Sequence, residues 1–298
     1  GSPSRELLTF GVTGTNGKTT TAVLIRHLMG PEVPTAVIGT LGLIERDGVR
    51  PGSQRLTTPG PVQVALWLRE LADGGVSAVV IEASSHALAQ HRLDGVDFDV
   101  VVYTNLSRDH FDYHGDLATY LGAKARLIDL ASRQATVVVN GSEPAWEALD
   151  PKGRFLKTYA VDAEADVRGS DLELDASGTS FRLTADGSAR IVRMPLLGRF
   201  NVENALAAAT AAMVAGVSLD DVVERLATVP RVSGRLEAVA SSPFTVLIDF
   251  AHTPAALESA LRAVKPLTAG RLIVVFGAGG GPRQGEAATH GRSRPPFG

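Results

Sequence analysis

The chain is 298 residues long, 44% hydrophobic and 20% charged, with a formal net charge of -3 and no cysteine. That composition describes a folded globular protein with a sizeable core and room for roughly two domains. It excludes disulfides, thiolate catalysis, Cys-ligated zinc and iron–sulfur centres, and it offers no global basic field for nucleic acid or an acidic membrane. No apolar run approaches the roughly 18 residues of a spanning helix. A soluble, cytoplasmic protein with no signal peptide ahead of its first motif is the expectation.

In chain order, Leu7-Leu8-Thr9-Phe10-Gly11-Val12 predicts a buried strand, then a glycine turn and a helix from about Thr19 to Met29. Trp67 to Leu71 and Leu117 to Leu130 carry helical spacing, and Val76 to Ile81, Val100 to Tyr103 and Ala135 to Val139 read as further strands. Strands alternating with helices predict an α/β fold with a doubly wound, mostly parallel sheet. From Asp166 to Pro195 apolar and polar residues alternate between Gly-containing turns, which predicts a small antiparallel β insertion. Helices are expected from Val202 to Ala215 and from about Asp220 to Ala227, followed by a linker at Pro230 to Gly234. Strands at Thr245 to Asp249 and Leu272 to Phe276, around a helix near Ala255 to Val264, would begin a second, Rossmann-like α/β domain.

The turn after the first strand reads Gly14-Thr15-Asn16-Gly17-Lys18-Thr19-Thr20. Glycines there let backbone amides face an anion at a helix N-terminus, Lys18 would lie against the β- and γ-phosphates, and Thr19 would place its hydroxyl on Mg²⁺. Val12 stands where the standard G-x-x-x-x-G-K-[ST] pattern has its first glycine. A plain strand-to-helix turn would use glycine as well.

This loop resembles that of the Mur ligases and folylpolyglutamate synthases, ATP-dependent enzymes that form amide bonds through an acyl phosphate. Glu82-Ala83-Ser84-Ser85-His86-Ala87-Leu88 and Thr104-Asn105-Leu106-Ser107-Arg108-Asp109-His110-Phe111-Asp112-Tyr113-His114-Gly115 look like the E-V-S-S-H-A-L and T-N-L-x-x-D-H-L-D-Y-H-G of UDP-N-acetylmuramoyl-tripeptide synthetases. Tyr120-Leu-Gly-Ala-Lys124, Gly198-Arg-Phe-Asn201-Val-Glu-Asn204-Ala205, Gly234-Arg235-Leu-Glu237 and Asp249-Phe-Ala-His252-Thr253-Pro254 are similar to further motifs of that group, in the same order. The serine pair before His86 and the Asp249 motif argue against a folate enzyme.

The resemblance implies ATP and two Mg²⁺ ions as cofactors, with Thr19, Glu82, His110 and a carbamylated Lys124 around the metals. It implies that Asn201 bonds the adenine, Asp249 the ribose and Arg235 the phosphates on closure. Thr57, Thr58, Ser84 and Arg92 would face a UDP-muramyl dipeptide, to which a diamino acid is added in peptidoglycan precursor synthesis. On the residues alone, Lys124 also fits a snorkelling surface lysine, Asn201 a helix cap, and Arg92 and Arg235 surface or linker charge. No nucleic-acid or membrane partner is expected, and a monomer is.

Residues 1–233 are expected to form the central ATP-binding domain and 234–280 the beginning of the C-terminal ligase domain. The family's uridine-holding domain would precede Pro3. After Gly280 the sequence leaves the family pattern. One legal codon choice for Gly281 to Gly291, read one base later, gives Asp-Arg-Asp-Lys-Gly-Lys-Arg-Pro-Leu-Met-Gly, so residues 281–298 are expected to be an out-of-frame, disordered tail. An ATP-binding fragment without turnover is the competing expectation to a working ligase.

Overall fold

The computed structural model describes residues 2–52, 56–175 and 177–277. β1 (Leu8–Thr13) leads into α1 (Lys18–Met29), and β2 (Thr35–Gly39), β3 (Gly42–Glu45) and β4 (Gly48–Arg50) follow as an antiparallel ladder. Next come α2 (Pro61–Asp73), β5 (Ala78–Glu82), α3 (Ser85–Ala89), β6 (Phe98–Tyr103), α4 (Phe111–His114), α5 (Leu117–Asp129) and β7 (Ala131–Asn140). β8 (Phe155–Val161), β9 (Val167–Asp175), β10 (Gly178–Ala185) and β11 (Ser188–Met194) precede α6 (Arg199–Val214) and α7 (Leu219–Leu226). Past the linker lie β12 (Glu237–Ala240), β13 (Val246–Ile248) and α8 (Pro254–Val264).

One eleven-stranded sheet runs β11-β10-β9-β8-β7-β6-β1-β5-β2-β3-β4. Its centre, from β2 to β9, is parallel, and both ends are antiparallel. The alternating segment after Asp166 is therefore an extension of the main sheet, joined to it by the parallel β8–β9 pair. Central strands are covered on both faces, so Val79-Val80-Ile81 and Val100-Val101-Val102 are buried along their whole length. One core lies between the sheet and α1, α6 and α7, around Phe10, Leu24, Leu28 and Leu206; the other lies under α2 and α5, around Ile38, Leu71, Phe98 and Leu127. The alanine face of α6 is buried throughout, and small side chains there let it lie close against α1.

After β1 the chain builds β2 and β5 on one side of it and then crosses to β6 on the other. That reversal opens a crevice at the carboxyl ends of β1, β5 and β6, where open α/β sheets bind ligands. Beyond the linker, β12 and β13 pair antiparallel, and α8 follows. The strand expected at Leu272 to Phe276 does not form: residues 271–277 have no regular structure, and Ile273 and Val275 are 69% and 94% exposed. A strand needs a partner row, and the described ladder partner of β13 is β12. The tail at 281–298 lies outside the described residues.

Candidate active site

The phosphate loop joins β1 to α1 and is clamped from the segment after β6. Thr15 gives its amide to the Asn105 carbonyl (2.8 Å), and Asn16 gives its amide to Asn105 Oδ1 (2.9 Å). Thr15 Oγ1 accepts the Ser107 amide at 2.9 Å and meets the Tyr120 hydroxyl at 3.2 Å. Gly14 has φ +140°, and a Cβ there would stand 1.8 Å from Thr104 Oγ1, which itself bonds the carbonyls of Thr13 and Asn16. Gly14→Ala is therefore expected to lower stability by about 1–3 kcal/mol, measured by urea denaturation. Gly17 caps α1 at φ +87° with no side-chain cap, leaving the first helical amides turned toward the crevice.

Lys18, half-buried, curls back over this loop and donates to the carbonyls of Gly14 (3.0 Å) and Thr15 (2.9 Å). Burial pulls its pKa below the usual lysine value, against the opposing charges of Glu82 and Asp109. Thr19 and Thr20 are buried at the start of α1, and Thr19 donates to Glu82 Oε2 at 2.9 Å. Glu82 ends β5 and is 1% exposed. Its carboxylate also accepts the Thr40 amide (2.8 Å) and lies 3.1 Å from the Thr40 hydroxyl. Burial raises its pKa, and the Thr40 amide, Lys18 and Thr19 pull the other way.

Lys124 is not a snorkelling surface residue. It is 1% exposed on the inner face of α5, and Nζ donates to the Gly14 carbonyl at 2.8 Å, the same oxygen that Lys18 uses. Its amine lies 4.4 Å from the Tyr120 ring centroid. Burial drives its pKa well below the ordinary lysine value, the neighbouring Lys18 adds to that, and Asp109 opposes it. His110 stands at φ +53° with its amide on Asp109 Oδ1 (2.8 Å) and Nε2 3.5 Å from Asp109 Oδ2. Burial lowers its pKa to about 4; Asp109 opposes, while His86, Lys18 and Lys124 push the same way as burial.

From the second unit, Arg235 reaches Thr19 Oγ1 at 3.3 Å, with its guanidinium 4.9 Å from the Phe250 ring centroid. It is thus more than linker charge. Asp249 spends both oxygens on the amides of Leu236 and Ala251 (2.8 Å each) and braces the chain around Arg235. Asn201 is not a cap: it sits inside α6, whose N-cap is Gly198, and gives Nδ2 to the Leu197 carbonyl. It receives a bond from Asn204, whose Oδ1 is where a Cβ on Gly17 would clash at 2.2 Å.

Among the substrate candidates, Thr58 is fully buried, with Oγ1 on the Glu82 carbonyl (2.6 Å) and on the Ser84 amide and hydroxyl. Ser84 caps α3 by accepting the Ala87 amide, and Arg92 donates to the Thr58 carbonyl (2.8 Å) and to Gln90. Thr57 lies beside Thr40, Oγ1 to Oγ1, at 3.2 Å. A cavity of about 320 Å³ opens next to this segment, lined by Leu56, Pro59, Gly60, Val62, Gln63 and Leu66.

Thr19 and Glu82 offer two adjacent oxygen donors, which suits magnesium. Among the described residues no three His, Cys, Asp or Glu side chains cluster as metal ligands. A divalent cation therefore fits here as a mixed site completed by phosphate oxygens. Burial shifts the Lys124 amine toward its neutral form, the form that reacts with CO₂, so the residue also fits a carbamate.

Sequence reasoning missed β2, the Gly39 that ends it and the Thr40 in the turn that follows, although Thr35-Ala-Val-Ile-Gly39 between Pro34 and a turn is a strand signal. It named Asn105, Asp109 and Tyr120 within motifs without giving them work.

The sequence matches the Mur ligase middle domain over residues 12–212 and the Mur ligase glutamate ligase domain over residues 234–296. The chain belongs to the Mur ligase family. It is 41% identical to a UDP-N-acetylmuramyl-tripeptide synthetase of Roseiflexus sp. (strain RS-1), over 97% of this chain and 61% of that protein. It is 43% identical to a UDP-N-acetylmuramoyl-L-alanyl-D-glutamate--2,6-diaminopimelate ligase of Xanthomonas campestris pv. campestris (strain 8004), over 94% of this chain and 58% of the relative. A solved structure of a UDP-N-acetylmuramoyl-L-alanyl-D-glutamate--2,6-diaminopimelate ligase superposes with a TM-score of 0.77 at 35% identity, covering 96% of this chain and 59% of that one. The chain thus spans about three fifths of the length of the relatives it matches. Members of this Mur ligase family are ATP-dependent ligases. No helix among the described residues is long and apolar enough to cross a membrane.

Proposed function

We propose that this chain carries the ATP site of a ligase that adds a diamino acid to UDP-N-acetylmuramoyl-L-alanyl-D-glutamate. The observation that carries the reading is the meeting of Lys18 and Lys124 at the Gly14 carbonyl, with the bonded Thr19–Glu82 pair in the electrostatic reach of Lys18, at the sheet's switch point. Residues 1–233 supply this centre, and the unit from 234 supplies Arg235 and Asp249.

Lys18 holds the β- and γ-phosphates, with Arg235 approaching them from the second unit. Asn201 bonds the adenine after exchanging its Leu197 carbonyl for the base, and Asp249 serves the ribose. Thr19 and Glu82 would hold one Mg²⁺, and Glu82, His110 and a carbamylated Lys124 would hold a second. Bound magnesium supplies charge neutralisation to the transferring phosphoryl group. Thr57, Thr58, Ser84 and Arg92 orient the acceptor so that its D-glutamyl carboxylate attacks the γ-phosphate. ADP leaves with that attack; the incoming amine then attacks the acyl carbon, forms the amide as inorganic phosphate departs and gives up a proton, and the protein's contribution is positioning and exclusion of water.

Phosphate release from ATP is expected to require both the muramyl dipeptide substrate and a diamino acid. Nucleotide binding without substrate-dependent release would leave the chain as a binding fragment. With ¹³C-bicarbonate, a lysine carbamate resonance is expected that disappears in Lys124→Ala; its absence from the parent chain would remove the carbamate.

A further inference from the structure

The β2–β3 hairpin turns through two residues, Thr40 and Leu41, with Gly39 opposite Gly42. That tight turn sets the Thr40 amide and hydroxyl against the Glu82 carboxylate, at 2.8 and 3.1 Å. The preceding residue completes the cradle: a Cβ on Gly39 would lie 2.0 Å from Glu82 Oε1. Gly39 does not have a positive φ, so its lack of a side chain serves the carboxylate and not the backbone. On its other side, Thr40 Oγ1 stands 3.2 Å from Thr57 Oγ1, in the segment that runs into Thr58.

A hydroxyl has one proton to donate. Thr40 therefore donates either to Glu82 Oε2 or to Thr57 at any moment, and while it donates to Glu82 it can still accept the Thr57 hydroxyl proton. We propose that Thr40 is a positioning residue that aims Glu82 at the cation and turns its donated proton from Glu82 to Thr57 when the cation takes the carboxylate lone pair, coupling the metal site to the acceptor segment. Gly39 provides the room in which Glu82 sits. This rests on the nucleotide-site reading above, since Glu82 has a cation to receive only there.

The test is equilibrium binding of a non-hydrolysable ATP analogue to the whole chain, with Mg²⁺ and with EDTA, for the parent, Thr40→Val, Thr40→Ser and Gly39→Ala. Thr40→Val keeps the backbone bond to Glu82 and loses the hydroxyl. It is expected to weaken magnesium-dependent binding about tenfold, the scale of one hydrogen bond to a charged group, while metal-free binding stays within twofold. Thr40→Ser restores parent affinity. Gly39→Ala puts its Cβ against Oε1, Cδ and Cγ of Glu82 and no backbone atom, so it displaces the carboxylate and weakens magnesium-dependent binding at least as much, with circular dichroism confirming that the variant is folded. Thr57→Val shifts magnesium affinity in the parent and leaves it unchanged in Thr40→Val, because the two hydroxyls act as a pair. Parent-like magnesium dependence in Thr40→Val overturns the proposal. A parent chain that binds no nucleotide with or without metal brings down the nucleotide-site reading instead.

Discussion

Lys18→Ala is expected to weaken ATP binding by about a hundredfold or more, and to leave no measurable phosphate release, while the chain stays folded. Among the described residues the amine bonds two loop carbonyls, Gly14 and Thr15, and the Gly14 oxygen keeps its bond from Lys124 when Lys18 is removed. Thr15 is held independently by Asn105, Ser107 and Tyr120, so the loop does not depend on Lys18 for its shape. What the variant loses is positive charge beside the uncapped start of α1. Lys18→Arg is not expected to rescue it, because a planar guanidinium cannot take the place of a compact ammonium under a glycine loop. Lys157→Ala, which removes an exposed pairing with Asp166 on β8, serves as the control with unchanged affinity. Fluorescent-nucleotide titration and circular dichroism read the two effects separately, and parent-like affinity in Lys18→Ala would remove the phosphate-loop assignment.

The parts of this architecture that announce themselves in the sequence are those whose burial leaves a continuous pattern. Strands covered on both faces must be apolar throughout, and β5 and β6 read as Val-Val-Ile and Val-Val-Val for that reason. The phosphate loop is legible because Gly14 and Gly17 take up positive φ angles and close approaches that a side chain would prevent. The β2–β4 ladder was missed because its strands are short and its turn, Thr40-Leu41, has no Asn-Gly or Asp-Gly signature. Pairing between distant segments has no local signal at all. Nothing around Thr40 says that it will meet Glu82, forty-two residues on, and nothing around Arg235 says that it will reach Thr19 across the linker. The missing strand at Leu272 to Phe276 makes the converse point: β-propensity supplies a candidate, and a ladder partner decides the outcome.

Lys124→Met is expected to have opposite effects on stability and on chemistry. The amine is 1% exposed, bonds one neutral carbonyl and the face of Tyr120, and among the described residues has no carboxylate within ion-pair distance. Methionine is close to lysine in length, carries no charge to desolvate, and leaves the Gly14 oxygen its bond from Lys18. The native amine has a pKa well below the ordinary 10.5, whereas the unfolded lysine keeps that value. As pH falls below 10.5 the unfolded chain therefore binds a proton that the native chain refuses. Native stability drops by about 1.4 kcal/mol for each pH unit until the native amine itself protonates. The substitution removes this penalty. In CO₂-free buffer at pH 7 it is expected to stabilise the chain by about 1–4 kcal/mol, with the gain shrinking as pH rises toward 10.5. Urea denaturation of both chains across that range measures the difference; a gain that is absent, or that grows with pH, would mean the amine is not held neutral. If the same variant loses substrate-dependent phosphate release, the cost of burying Lys124 is tied to the reaction, because packing alone favours methionine at that position.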